Sequence, residues 1–114
     1  MKTEFSFHLD QIFGKENQLE CLRKIACEYY EFSILIPKDE LLKIPEVINA
    51  NWNERTSLKL GKCLGSPTWW SFEDERLSIL VGIDDECWQF GIIIPNPYVK
   101  DLINQINSYK SNAK

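Results

Sequence analysis

The sequence predicts an α+β fold: a mainly antiparallel sheet, with a β-meander from about residue 57 to 94, and helices packed mostly on one face. Three observations carry that reading. Thr68–Phe72, Arg76–Ile83 and Cys87–Ile94 are strand-like runs, separated by the acidic clusters Glu73-Asp74-Glu75 and Asp84-Asp85-Glu86. Asn96-Pro97 then offers an N-cap followed by proline at the first helical position, and Val99, Leu102, Ile103 and Ile106 repeat at helical spacing. Finally, 114 residues suit one domain spanning 1–114, with residues 110–114 expected as a frayed tail.

From the start of the chain, Thr3–Leu9 alternates Phe5, Phe7 and Leu9 against Glu4, Ser6 and His8, which predicts a half-buried strand with a solvated histidine. Gly14 breaks the chain. Asn17–Tyr30 reads as a first helix. Asn17 and Glu20 resemble a capping box, and Leu19, Leu22, Ile25, Ala26 and Tyr29 fall on one helical face. Phe32–Ile36 is a short apolar run ended by Pro37, and its brevity favours a buried strand. Lys38–Asn49 reads as helical but is interrupted by Pro45, because an interior proline loses a hydrogen bond and clashes with the preceding turn. Two short helical turns, the second starting at Pro45, fit better than one helix.

Asn49–Thr56 is a polar loop holding Trp52, and Ser57–Leu64 follows as a strand with Leu58, Leu60 and Lys62 on one side. Gly65-Ser66-Pro67 supplies a turn into the meander. The count is four to six strands. The N-terminal strand and Phe32–Ile36 either add at an edge or form a parallel pair across the first helix.

Register in the last hairpin follows from its side-chain pattern. A two-residue turn at Asp84-Asp85 sets Val81 against Trp88, Ile79 against Phe90 and Leu77 against Ile92, giving one apolar face. A three-residue turn would oppose Val81 to Gln89 and Ile79 to Gly91, since a slip of one residue flips every side chain. The opposite face would hold Ser78, Leu80, Gly82, Cys87, Gln89 and Gly91, and is expected to be solvated or thinly covered. Successive turns of a meander lie at alternate ends of the sheet. At about 3.3 Å per residue, the two acidic clusters are expected roughly 25 Å apart and unable to form one site.

Composition narrows the function. Net charge is −4, which argues against a nucleic-acid partner, since such proteins display basic patches. No apolar run approaches the roughly 20 residues needed to span a bilayer, and Glu4 and Asp10 fall where a signal peptide needs an apolar core. A cytoplasmic protein is expected, with no membrane partner. Cys21, Cys27, Cys63 and Cys87 form no C-x-x-C pair, and His8 is the single histidine, so reduced thiols are expected rather than a metal site. Neither a G-x-S-x-G elbow nor a Gly-rich phosphate loop is present. The expectation is therefore no catalytic residue, no cofactor and no metal, and a protein that is not an enzyme.

What remains is surface character. Asp84-Asp85-Glu86 lacks the alternating ligands and central glycine of a calcium loop, so it reads as a solvated acidic turn or a docking site for a basic partner. Trp69 and Trp70 point to opposite faces of their strand, which allows one of them to anchor a protein interface. The candidate partner-binding residues are therefore Asp84, Asp85, Glu86, Trp69 and Trp70.

The run D-E-x-L-S-I-L-V-G-x-D-D-E-x-W-x-F-G-I, from Asp74 to Ile92 in a small, acidic, tryptophan-rich domain, resembles the immunity proteins of bacterial polymorphic and contact-dependent toxin systems. The resemblance implies a non-enzyme that binds a cognate toxin domain, often a nuclease, and blocks its active site. An acidic surface would steer association with a basic nuclease patch. Two other readings stand beside it. One is a structural or adaptor domain that self-associates through a sheet edge or its tryptophan-bearing face. The other is a metal-dependent hydrolase using Asp84, Asp85 or Glu86. Oligomeric state is left open.

Overall fold

A computed structural model describes residues 3–11, 16–25 and 28–112. Seven strands run in chain order across one antiparallel sheet: β1 (Thr3–Gln11), β2 (Glu16–Ile25), β3 (Glu28–Pro37), β4 (Leu58–Cys63), β5 (Ser66–Glu73), β6 (Arg76–Gly82) and β7 (Trp88–Pro95). Between β3 and β4 lie α1 (Lys38–Leu41) and a 3₁₀ helix (Ile44–Asn49). The chain ends in α2 (Asn96–Asn112). The fold is α+β and mainly antiparallel, with the meander expected from 57 to 94 in place. All the helices lie against one face.

That face is the core. Phe5, Leu19, Ile34, Leu60, Trp70, Ile79 and Ile94 point from successive strands toward Leu41, Ile44, Val47, Val99, Leu102 and Ile106. The alternation read in Thr3–Leu9 is realised in β1, and His8 is exposed, its Nε2 2.9 Å from Asp10. Pro45 divides the 38–49 segment as expected. The helix announced by Asn96-Pro97 buries Val99, Leu102 and Ile106, and it continues through Asn112 rather than fraying from residue 110.

The expected helix at Asn17–Tyr30 is not formed. Its described residues, 17–25 and 28–30, lie in β2 and at the start of β3, which pair antiparallel from Glu16↔Pro37 to Ile25↔Glu28. Two periods compete in this stretch. Asn17, Leu19 and Cys21 alternate and are buried, while Tyr29, placed on the helical stripe, is exposed. β1 and β3 flank β2 and bury one face of it, so tertiary pairing overrides the helical stripe. Without that helix there is no crossover, so the parallel pairing considered for the N-terminal strand and Phe32–Ile36 does not arise. Among the described residues the sheet has seven strands rather than four to six. Gly14 and Ala26 lie outside the described residues.

The sheet has a narrow seam. β3 and β4 share one register pair, Leu35↔Lys62. A bulge between Lys59 and Lys62 holds Gly61 at φ +72°, and the Gly61 N–H donates to Glu40 Oε1 at 3.0 Å. The bulge adds one residue and reverses the alternation beyond it. Lys62, expected on the side of Leu60, is therefore exposed, and Cys63 is buried instead. The turn into β5 is Leu64-Gly65, both at positive φ, with Ser66 and Pro67 already in the strand.

The β6–β7 register is displaced by two residues from expectation: Leu77 faces Ile94, Ile79 faces Ile92 and Val81 faces Phe90. A shift of two preserves the faces, so the apolar face is as read. The cause is a longer connection. Asp84 Oδ1 accepts the N–H groups of Glu86 (2.8 Å) and Cys87 (2.7 Å), and the Ile83 N–H donates to Cys87 O at 3.1 Å. A second bulge at Val81/Gly82 then pairs Trp88 with Gly82 and moves it off the face of Val81.

Candidate functional site

Among the described residues, no helix covers the other face of the sheet. Over β5–β7 this open face carries Trp69, Ser71 and Glu73, then Arg76, Ser78 and Leu80, then Trp88, Gly91 and Ile93, as the cross-strand pairs require. The loop 50–57 leans over it. Trp52 Nε1 donates to the Asp85 carbonyl at 2.8 Å, and Arg55 pairs with Glu86. Asn53 donates to both carboxylate oxygens of Glu73, from its backbone N–H at 3.2 Å and from its side-chain amide at 3.1 Å.

These contacts enclose a groove of about 390 Å³ between Trp52 and Trp88. Its floor is Ser71, Ser78, Leu80, Gly91 and Ile93, and one end is closed by Glu73, Asp74 and Arg76. Pockets of this size, mostly apolar with a few convergent polar groups, are typical of binding sites. Trp88 and Ile93 remain about half exposed, at 47% and 53%. Ile83, in the loop before β7, is exposed as well. Large apolar side chains left in water beside one another mark an interaction surface.

The sequence-predicted residues fall into three situations. Trp70 is fully buried, its Nε1 donating to Thr68 Oγ1 (2.8 Å) and Leu60 O (3.2 Å), so it is a core residue and not an exposed anchor. Trp69 lies half-buried on the open face, donating to Gly82 O at 3.2 Å, with Lys59 Nζ 5.8 Å from its ring centroid. Asp84, Asp85 and Glu86 do not line the groove but contact the loop that carries Trp52, and each is already engaged: Asp84 as a turn acceptor, Asp85 through its carbonyl and Glu86 with Arg55. Glu73 and Asp74, at the other end of the strands, line the groove, and the 50–57 loop reaches from Glu73 to the 84–86 cluster.

Sequence reasoning missed Trp52, Trp88 and Ile93. Trp52 was visible as a tryptophan in a polar loop, but nothing in the sequence said where that loop would lie. Trp88 was assigned to the apolar face, and only the bulge moves it.

Burial pushes the Cys21 thiol up to about 12, with Cys63 adding to the effect, and burial raises Cys63 too. Cys87 is exposed, and Cys27 lies outside the described residues. Among the described residues, no group of three or more His, Cys, Asp or Glu side chains is placed to hold a metal ion. No described helix is long and apolar enough to cross a membrane.

Comparison with known proteins returns no match to a family model, a curated protein or a solved structure.

Proposed function

We propose that this chain is a protein-binding module that docks a partner on its open sheet face, and that it acts as an immunity protein neutralising a bacterial toxin domain. The observation that carries the binding reading is the half-exposed aromatic groove between Trp52 and Trp88, with Glu73 and Asp74 in its lining and the acidic loop 84–86 bonded to the loop that carries Trp52. Exposed tryptophans are favoured interface anchors, and clustered carboxylates around them favour a basic partner. A nuclease domain with a basic phosphate-binding surface fits that chemistry. The action would be steric, by occupying the toxin's active site, with no turnover, cofactor or metal of the chain's own, and it would take place in the cytoplasm. The immunity role itself rests on the resemblance of the 74–92 stretch.

The test is neutralisation. Cells expressing a toxin domain encoded beside this gene should survive when the chain is co-expressed, and the purified proteins should form a complex. Replacing Asp84, Asp85 and Glu86 together by Asn, Asn and Gln should weaken that complex at least tenfold, about 1.4 kcal/mol. Asn at 84 keeps the turn acceptor, so the change removes charge while preserving the loop. The matched control neutralises Asp39, Glu46 and Asp101, which are exposed on the helical side of the sheet. If no toxin lies beside the gene, or if the control triple costs more affinity than the loop triple, the reading fails.

A further inference from the structure

β7 is the last strand of the sheet, and its outer edge has no neighbour in the fold. Which of its backbone groups face outward follows from the hairpin before it. Asp74 and Glu75, both at positive φ, form a two-residue turn, so Glu73 and Arg76 are a hydrogen-bonded pair. Antiparallel pairs alternate, so Arg76, Ser78 and Leu80 bond to β5, whereas Leu77, Ile79 and Val81 bond to β7. Their partners Ile94, Ile92 and Phe90 therefore use their backbone groups on β6. The Asn96 N–H, donating to Glu75 O at 3.0 Å, continues the same alternation. Gly91 and Ile93 are left with N–H and C=O directed away from the sheet, as is the Pro95 carbonyl.

Natural edges are guarded by charge, by proline or by shortness. β7 has eight residues, WQFGIIIP, with no charged side chain and a proline only at its last position. β1, at the opposite edge, carries Glu4, His8 and Asp10. Two copies of β1 would bring like charges together, whereas two copies of β7 would not. β7 is also complementary to itself in shape. Antiparallel pairing centred on Ile92 sets Ile93 of one copy opposite Gly91 of the other, twice over by symmetry, so a large side chain meets the absent one. In that register Gly91 and Ile93 exchange the backbone hydrogen bonds they otherwise lack.

We infer that this chain forms a two-fold dimer by pairing β7 with β7 of a second copy, joining the two sheets edge to edge. The two-fold axis runs perpendicular to the sheet, so both grooves lie on one side and the helices of both copies on the other, and the pairing does not depend on the identity of any toxin. Sedimentation of the purified chain from low micromolar to submillimolar concentration should show a monomer–dimer equilibrium. Exchange of the Gly91 and Ile93 amide hydrogens should slow as dimer accumulates, while the already bonded Ile92 amide changes less. Ile93→Pro removes an outward-facing donor without touching the β6 ladder, and Ile93→Lys adds the charge that natural edges use. Each should raise the dimer dissociation constant at least about tenfold, whereas Ile83→Lys, on the exposed loop, should not. A chain that stays monomeric throughout overturns the inference. So does a dimer insensitive to both Ile93 variants, or one whose Gly91 and Ile93 amides exchange as fast as in the monomer.

Discussion

Replacing Gly61 by alanine should destabilise this protein well beyond the backbone strain of a positive φ alone. Gly61 sits at φ +72° in the bulge that joins the two halves of the sheet. An L-residue there carries about 1–2 kcal/mol of backbone strain. A Cβ would also lie 2.7 Å from Leu35 O, 2.8 Å from Ile34 Cγ2 and 3.0 Å from Ile36 Cβ. Overpacking of this kind costs about 1–3 kcal/mol, so the total is roughly 2–5 kcal/mol out of a typical 5–15. Gly65 provides the internal reference, because it has φ +81° and nothing within 4 Å of its added Cβ. Gly65→Ala should therefore carry the backbone term alone, about 1–2 kcal/mol. Urea unfolding followed by tryptophan fluorescence measures both, with the buried Trp70 as a core reporter. If Gly61→Ala costs no more than Gly65→Ala, β3 does not press on the bulge and the argument about the seam is wrong.

Two further predictions concern stability. Cys21 has its thiol pushed from 9.0 to about 12, first by burial and then by Cys63. Below pH 9 both folded and unfolded chains keep that proton; between pH 9 and 12 only the unfolded chain releases it, so stability should fall as pH rises through this window, by up to about 4 kcal/mol. Cys21→Val should flatten that part of the stability–pH curve measured by urea titration, and an unchanged slope would refute it. Leu64 sits at φ 53° and 89% exposed in the Leu64-Gly65 turn. Leu64→Asn creates the Asn-Gly pair that such turns favour and should stabilise by about 1 kcal/mol; a lower thermal midpoint would count against it.

The C-terminal half of the fold was legible because its signals were local. Period-two alternation in 76–94, proline at 45 and 97, and the helical repeat from Val99 each act within a few residues. Asn17–Tyr30 misled because its leucines satisfy a helical stripe, while the deciding alternation is short and ends at Cys21. What selects the strand is pairing with β1 and β3, a contact no local pattern contains. The candidate groove was half legible. Ser78, Leu80 and Gly91 were placed on the lightly covered face, but the two bulges that redirect Cys63 and Trp88 depend on strand fit rather than on residue type. Trp70 and Trp69 illustrate the limit: alternation separates their faces without saying which one is the core.

The same long-range contacts that hid the site would let it receive a partner without first ordering itself. Fixing a flexible loop on binding costs about 0.5–1.5 kcal/mol for each rotamer-rich side chain immobilised. Here the 50–57 loop is already tied at both ends of the groove, to Glu73 through Asn53 and to the 83–87 loop through Trp52 and Arg55. The Ala50 carbonyl accepts the Phe72 N–H at 2.7 Å, anchoring the base of that loop to β5. The 83–87 loop is held in turn by Asp84, whose carboxylate closes two backbone N–H groups. Glu73 and Asp84 therefore shape the groove as much as they charge it. Asp84→Asn tests electrostatics, because a single oxygen accepts both of its bonds and the amide keeps it, whereas Asp84→Ala and Glu73→Ala test preorganisation, the first loosening the loop before Trp88 and the second the loop that carries Trp52.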